Sequence, residues 1–218
     1  MQNGSELSKI FSKHNIGTDF AVEILHRHFE IPAEKRLVKV GRVVTPWSAD
    51  LVSLVEHRAN LGKIAPEAIH FHNGTYYPYE FIHLTKAEAE AANGQDRFAK
   101  YSPFLEDFAK FIQEKGIAHV LGLRLLSEEE KKRAEDPTVH DYEVSDDGGH
   151  MTTLSTDTVL DARGYSAVAW SFMHEKVFVP RYCLRASECL CTEYIEKCSC
   201  LMNGVCTCTR GHFASRCC

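Results

Sequence analysis

All nine cysteines of the 218-residue chain fall in its last stretch, as Cys183, Cys189, Cys191, Cys198, Cys200, Cys206, Cys208, Cys217 and Cys218. Three C-x-C pairs stand among them, with His212 between the last pair and the terminal Cys-Cys. In an extended segment residues i and i+2 project to one side, so the two thiolates of such a pair can grip one soft cation or bridge two. A disulfide inside C-x-C would instead close a strained small ring. The odd count and the absence of a leader-like start suit a reducing compartment better than a disulfide framework. Zinc or copper(I) is therefore the expected guest, with these nine cysteines and His212 as candidate ligands.

The twelve histidines offer a second possibility. His26 and His28 stand as H-x-H, as do His70 and His72, and on a strand each pair points to one face. Two such pairs could converge on a metal held by imidazoles, with Glu30 as a carboxylate sharing the face of His26 and His28. If the front of the chain is catalytic, His26 and His28 are the candidates, in a pocket shared with Tyr76, Tyr77 and Tyr79. Histidines satisfied by hydrogen bonds in half-buried strands are the plainer alternative.

The elements that must position these groups are marked by caps and turns. Ser48 opens a helix with Leu51, Leu54 and Val55 inward. Thr85 with Glu88 and Ser127 with Glu130 read as capping boxes. Ser102 and Pro103 open a helix carrying Phe104, Leu105, Phe108, Phe111 and Ile112 on one face, closed by Gly116. Asn73-Gly74 joins the arms of a hairpin over residues 68–83, and Pro78 places the second arm at a sheet edge. Residues 20–31, whose pattern also fits a helix, 37–44 and 117–126 read as strands, residues 140–144 and 150–154 as a hairpin, and residues 165–179 as one long strand. Hairpins with helices between them predict an α+β fold with a largely antiparallel sheet over residues 1–182, followed by a cysteine-rich metal-binding tail, 183–218.

With 44% hydrophobic residues the chain can build a core, and a net charge of −5 without a basic stripe argues against nucleic-acid binding. No run approaches the length of a membrane helix, so no membrane partner is expected and the protein reads as intracellular and cytoplasmic. The phosphate loop, the dinucleotide fingerprint and the nucleophile elbow are all missing.

Two resemblances accompany these readings. The C-x-C pairs of the tail resemble those of metallothioneins, which implies metal–thiolate clusters; the apolar Leu184, Leu190, Ile195 and Phe213 depart from that pattern. The Leu25–Phe29 segment, the surroundings of Trp47 and residues 116–126 are similar to an uncharacterised fungal protein family, a likeness that implies lineage and no mechanism. The cupin pattern of H-x-H with a nearby glutamate is not met, because Glu30 and Glu34 are off register and Glu80 is distant from His72. The expected function is an intracellular metal-binding protein whose tail holds zinc or copper(I). The alternative is a small-molecule tailoring enzyme with a histidine-lined pocket, and a third reading is a protein-interaction module built on the metal-folded tail. No specific protein partner is indicated.

Overall fold

The computed structural model describes residues 2–26, 28–92, 96–136, 138–146, 149–156, 165–173 and 176–184. Among the described residues ten strands are formed: β1 (Phe20–Ile24), β2 (Lys35–Val40), β3 (Val43–Ser48), β4 (Lys63–His72), β5 (Thr75–Leu84), β6 (Leu121–Leu125), β7 (His140–Ser145), β8 (Met151–Thr156), β9 (Tyr165–Met173) and β10 (Lys176–Leu184). Five α-helices accompany them among the same residues: α1 (Gln2–His14), α2 (Ala49–His57), α3 (Lys86–Ala91), α4 (Ser102–Glu114) and α5 (Glu128–Glu135).

The strands close in the order β1-β6-β4-β5-β2-β3-β8-β7-β10-β9, with β9 returning to β1 through Val22–Trp170 and Glu23–Ala169. The β2–β5 and β7–β10 ladders are parallel and the others antiparallel. This corrects the α+β expectation of a largely antiparallel sheet with inserted helices: the sheet is a closed mixed barrel, and the helices are short additions to it. Closure removes the sheet edge that Pro78 was expected to occupy. Pro78 instead lies opposite Ile69, outside the Glu80–Ile82 stretch that pairs with β2, where its missing N–H breaks no β2–β5 bond.

Several local signals act as their chemistry demands. The Thr85–Glu88 and Ser127–Glu130 capping boxes both form, and the Ser48 side chain accepts from the Leu51 N–H. Asn73 (φ 47°) and Gly74 (φ 83°) make the hairpin turn. Others shift. Residues 165–179 divide between β9 and β10, and residues 37–44 between β2 and β3 at Gly41 (φ 59°). In α2 it is Val52 and Val55 that are buried, while Leu51 and Leu54 are exposed. Ser102 caps nothing, its hydroxyl donating back to the Ala99 carbonyl.

The main apolar core lies outside the barrel wall. Leu7 and Phe11 of α1 and Phe104, Phe108, Phe111 and Ile112 of α4 pack on Phe20, Val22, Ile69, Leu123 and Phe172. A smaller cluster sets Val52 and Val55 of α2 against Val38 and Ile64, with Trp47 and Phe81. Burying each of these side chains contributes about 1.5–3 kcal/mol. Strand alternation then turns the intervening residues inward, and those are charged: Glu23, Lys39, Glu67, Glu80, Arg124, Glu143 and Arg181 are all buried. On β4 the register shifts on both sides of Ala68, so that Glu67 has no partner in the β4–β5 ladder. Such a bulge re-aims a side chain, and here it sends Glu67 to Arg124 and Lys39.

Candidate metal centre

The interior charges form one chain of contacts along the barrel. Arg124 on β6 donates Nε to Glu23 (2.7 Å), Nη1 to Glu67 (2.9 Å) and Nη2 to Glu80 (2.6 Å). The Tyr79 hydroxyl also donates to Glu23. One guanidinium among three carboxylates is too little charge, and burial pushes the Glu23 carboxyl up more than Arg124 pulls it down. Lys39 reaches both Glu67 (3.0 Å) and Glu130 (3.3 Å). Glu130 enters from α5, which follows β6 directly and stands at the barrel end marked by Phe20 and Leu125. Arg133 of the same helix binds Asp141 of β7 at 2.9 Å.

Arg181 on β10 links the two ends. One terminal nitrogen donates to Glu130 at 2.8 Å and the other to Glu143 Oε1 at 2.9 Å. Burial opposes the charge on Glu130, but Lys39, Arg181 and Arg124, with a backbone hydrogen bond from Ser127, hold its carboxyl far below the usual range. Its stabilising contribution is therefore complete above the ordinary glutamate value of 4.5 and lost as pH falls below it. We expect the guanidinium chloride midpoint to hold steady between pH 7 and 5 and to drop between pH 4 and 3. A midpoint unchanged across that lower interval would contradict a buried, ionised Glu130.

At the opposite mouth, just past Ile24, the two sets of candidate ligands meet. The Nε2 atoms of His26 and His28 lie 3.2 Å apart, and each is 3.1 Å from Glu143 Oε2. Cys183, a buried thiol on β10 and 155 residues away in sequence, places Sγ 3.9 Å from His28 Nε2. One ligand atom from each of His26, His28 and Cys183 lies within 4.8 Å of the others. Bonds of 2.0–2.1 Å in a tetrahedral site would set nitrogen and oxygen ligands about 3.3 Å apart, and the observed contacts of 3.1–3.2 Å, which hydrogen bonds share, are compatible with that spacing.

The tautomer of His26 sharpens this. Its Nδ1 lies 2.8 Å from the Ile24 carbonyl, which can only accept, so Nδ1 carries the proton. In a neutral ring Nε2 then aims a lone pair at a carboxylate oxygen. That juxtaposition is repulsive unless a proton or a metal ion lies between. Donation of Nδ1–H to a backbone carbonyl is also the usual outer-shell arrangement of a metal-bound histidine. Glu143 is ready to serve as an anion: burial raises its carboxyl, but Arg181 and the two imidazoles bring it well below the normal value.

The other predicted residues fall elsewhere. His70 and His72 face one another on β4 with ring centroids 6.3 Å apart, near Tyr77, and do not join this cluster. Burial and the neighbouring His72 lower the His70 pKa. Glu30 is exposed. The expected tyrosine-lined pocket is not formed as a unit: Tyr76 donates to the Leu105 carbonyl on the outer face, Tyr77 is exposed, and only Tyr79 turns inward. Glu143 escapes sequence reasoning, although Asp141 and Glu143 alternate on one face of β7. Cys189, Cys191, Cys198, Cys200, Cys206, Cys208, His212, Cys217 and Cys218 lie outside the described residues, as does His174. No helix among the described residues is long and apolar enough to cross a membrane.

Compared with protein-family models, curated proteins and solved structures, the chain matches none.

Proposed function

We propose that this protein binds a single zinc ion at the barrel mouth through His26, His28 and Cys183, beside the buried Glu143 carboxylate, and that metal handling is its function. The observation that carries this is the meeting of two imidazole nitrogens and a carboxylate oxygen within 3.1–3.2 Å of one another, with His26 Nδ1 turned to the Ile24 carbonyl and Nε2 toward the cluster. The mixture of imidazole, thiolate and carboxylate suits zinc better than copper(I), which favours sulfur ligands alone. The eight cysteines beyond Cys183 add a second, sulfur-rich place for zinc or copper(I). A thiolate-dependent centre of this kind works in a reducing compartment, which supports an intracellular location.

The direct test is elemental analysis of the full-length chain, purified under reducing conditions, with the eight tail cysteines changed to serine. One equivalent of zinc should remain. A chain that folds, takes up no zinc and cannot be loaded by added zinc would refute the site.

A further inference from the structure

The other H-x-H pair stands at the same end of the barrel. Glu23 of β1 and His70 of β4 lie opposite Gly122 of β6 from its two sides, so the three share the inward face at one level of the wall. Both neighbours of β6 are antiparallel to it, which puts His72 one step nearer the mouth that opens past Ile24. Two strand spacings, about 10 Å along the wall, separate β1 from β4. A Cβ at Gly122 would stand 2.8 Å from the Tyr79 hydroxyl and 3.0 Å from Leu25. Without it the Tyr79 hydroxyl reaches Glu23, and the Tyr79 ring braces that of His70 edge to face at 5.9 Å.

Hydrogen bonding occupies His14, His83 and His150, each on a carboxylate or a backbone carbonyl. His70 and His72 differ: among the described residues neither ring makes a hydrogen bond or an ion pair, and their contacts are with each other, Tyr77 and Tyr79. His70 is half-buried and His72 exposed, so two imidazoles with unused nitrogens face one another at a wet rim. We propose that they form a separate, solvent-open metal site, two imidazoles and water around a divalent ion of the zinc, nickel and copper group. Bonds of about 2.0–2.1 Å from one ion to both rings would place the ring centroids about 4.5–6.4 Å apart, according to the angle at the metal. The observed 6.3 Å is the open end of that range, and exposed His72, whose ring torsion is broad, closes it. Neither histidine belongs to a cluster of three or more candidate ligands among the described residues, so water fills the remaining positions and the ion is held more loosely than at His26, His28 and Cys183. The two sites share no residue, so either can be present without the other.

Zinc titration of the full-length chain with its eight tail cysteines changed to serine tests the site, read by the imidazole nitrogen resonances of each histidine. One nitrogen of His70 and one of His72 should move together to metal-bound positions as zinc is added. His72→Gln, a change at an exposed position beside the turn, should leave the near-ultraviolet circular dichroism unchanged and weaken zinc binding at His70 at least about tenfold, as loss of a direct ligand requires. Resonances of both rings that stay in place at millimolar zinc, movement of one ring without the other, or equal affinity at His70 in the His72→Gln variant would each overturn the site. The resonances of His26 and His28 report the recessed site in the same spectra, so a failure there is seen separately from a failure at His70 and His72.

Discussion

Replacing His28 with alanine, or Cys183 with serine, in the chain whose tail cysteines are already serine is expected to remove zinc binding at the barrel mouth. His28 Nε2 lies 3.2 Å from His26 Nε2, 3.1 Å from Glu143 and 3.9 Å from Cys183 Sγ. Loss of an outer-shell partner alone costs about 10–100-fold in metal affinity, and loss of a direct ligand should exceed that range. The change is read by competition with a chromophoric chelator, and near-ultraviolet circular dichroism shows whether the barrel remains folded. Folded variants that retain the parent affinity would remove these residues from the site. A variant of Glu143 is less simple, because Glu143→Gln also deprives Arg181 of a carboxylate.

The second large effect is on stability. Arg124→Met is expected to lower the unfolding free energy by at least about 3–5 kcal/mol, the range for breaking a buried ion pair by removing one partner. Against a total stability of about 5–15 kcal/mol this approaches loss of the fold. The reason is the number of groups left behind: Glu23, Glu67 and Glu80 all bond this one guanidinium, and all are buried. Lysine is no substitute, since one ammonium cannot reproduce the fork that reaches three carboxylates. Adding Glu80→Gln to Arg124→Met should recover part of the loss, because one uncompensated charge disappears. Guanidinium chloride denaturation of the single and double variants measures both effects. A loss below about 1 kcal/mol for Arg124→Met, the range of exposed pairs, would mean that water reaches the network.

Both predictions depend on an arrangement in which charge is inside the barrel and the aromatic core is outside it. That inversion explains where sequence reasoning succeeded and failed. Phe20 and Val22 alternate with Ala21 and Glu23, and Leu123 and Leu125 with Gly122 and Arg124. An open sheet with one wet face writes the same pattern, so alternation distinguishes two faces without saying whether the polar one meets solvent or a closed lumen. The apolar stripe of α4 was legible, while its seat on the outer wall of a barrel was not. Leu51 and Leu54 were misplaced because the helical period of so short a segment as α2 admits more than one inward face.

What the sequence determined by itself is local. Capping boxes at Thr85 and Ser127, the Asn73-Gly74 turn, and the presence of H-x-H and cysteine ligands depend on neighbours within a few residues, and the covalent chain supplies those neighbours. Tertiary structure alone decided that the sheet closes, that Glu67 turns inward at a bulge, and that His28 meets Glu143 and Cys183 across separations of 115 and 155 residues. Those meetings depend on the order in which ten strands pair, and strand pairing is set by the fit of whole faces rather than by the identity of any one residue.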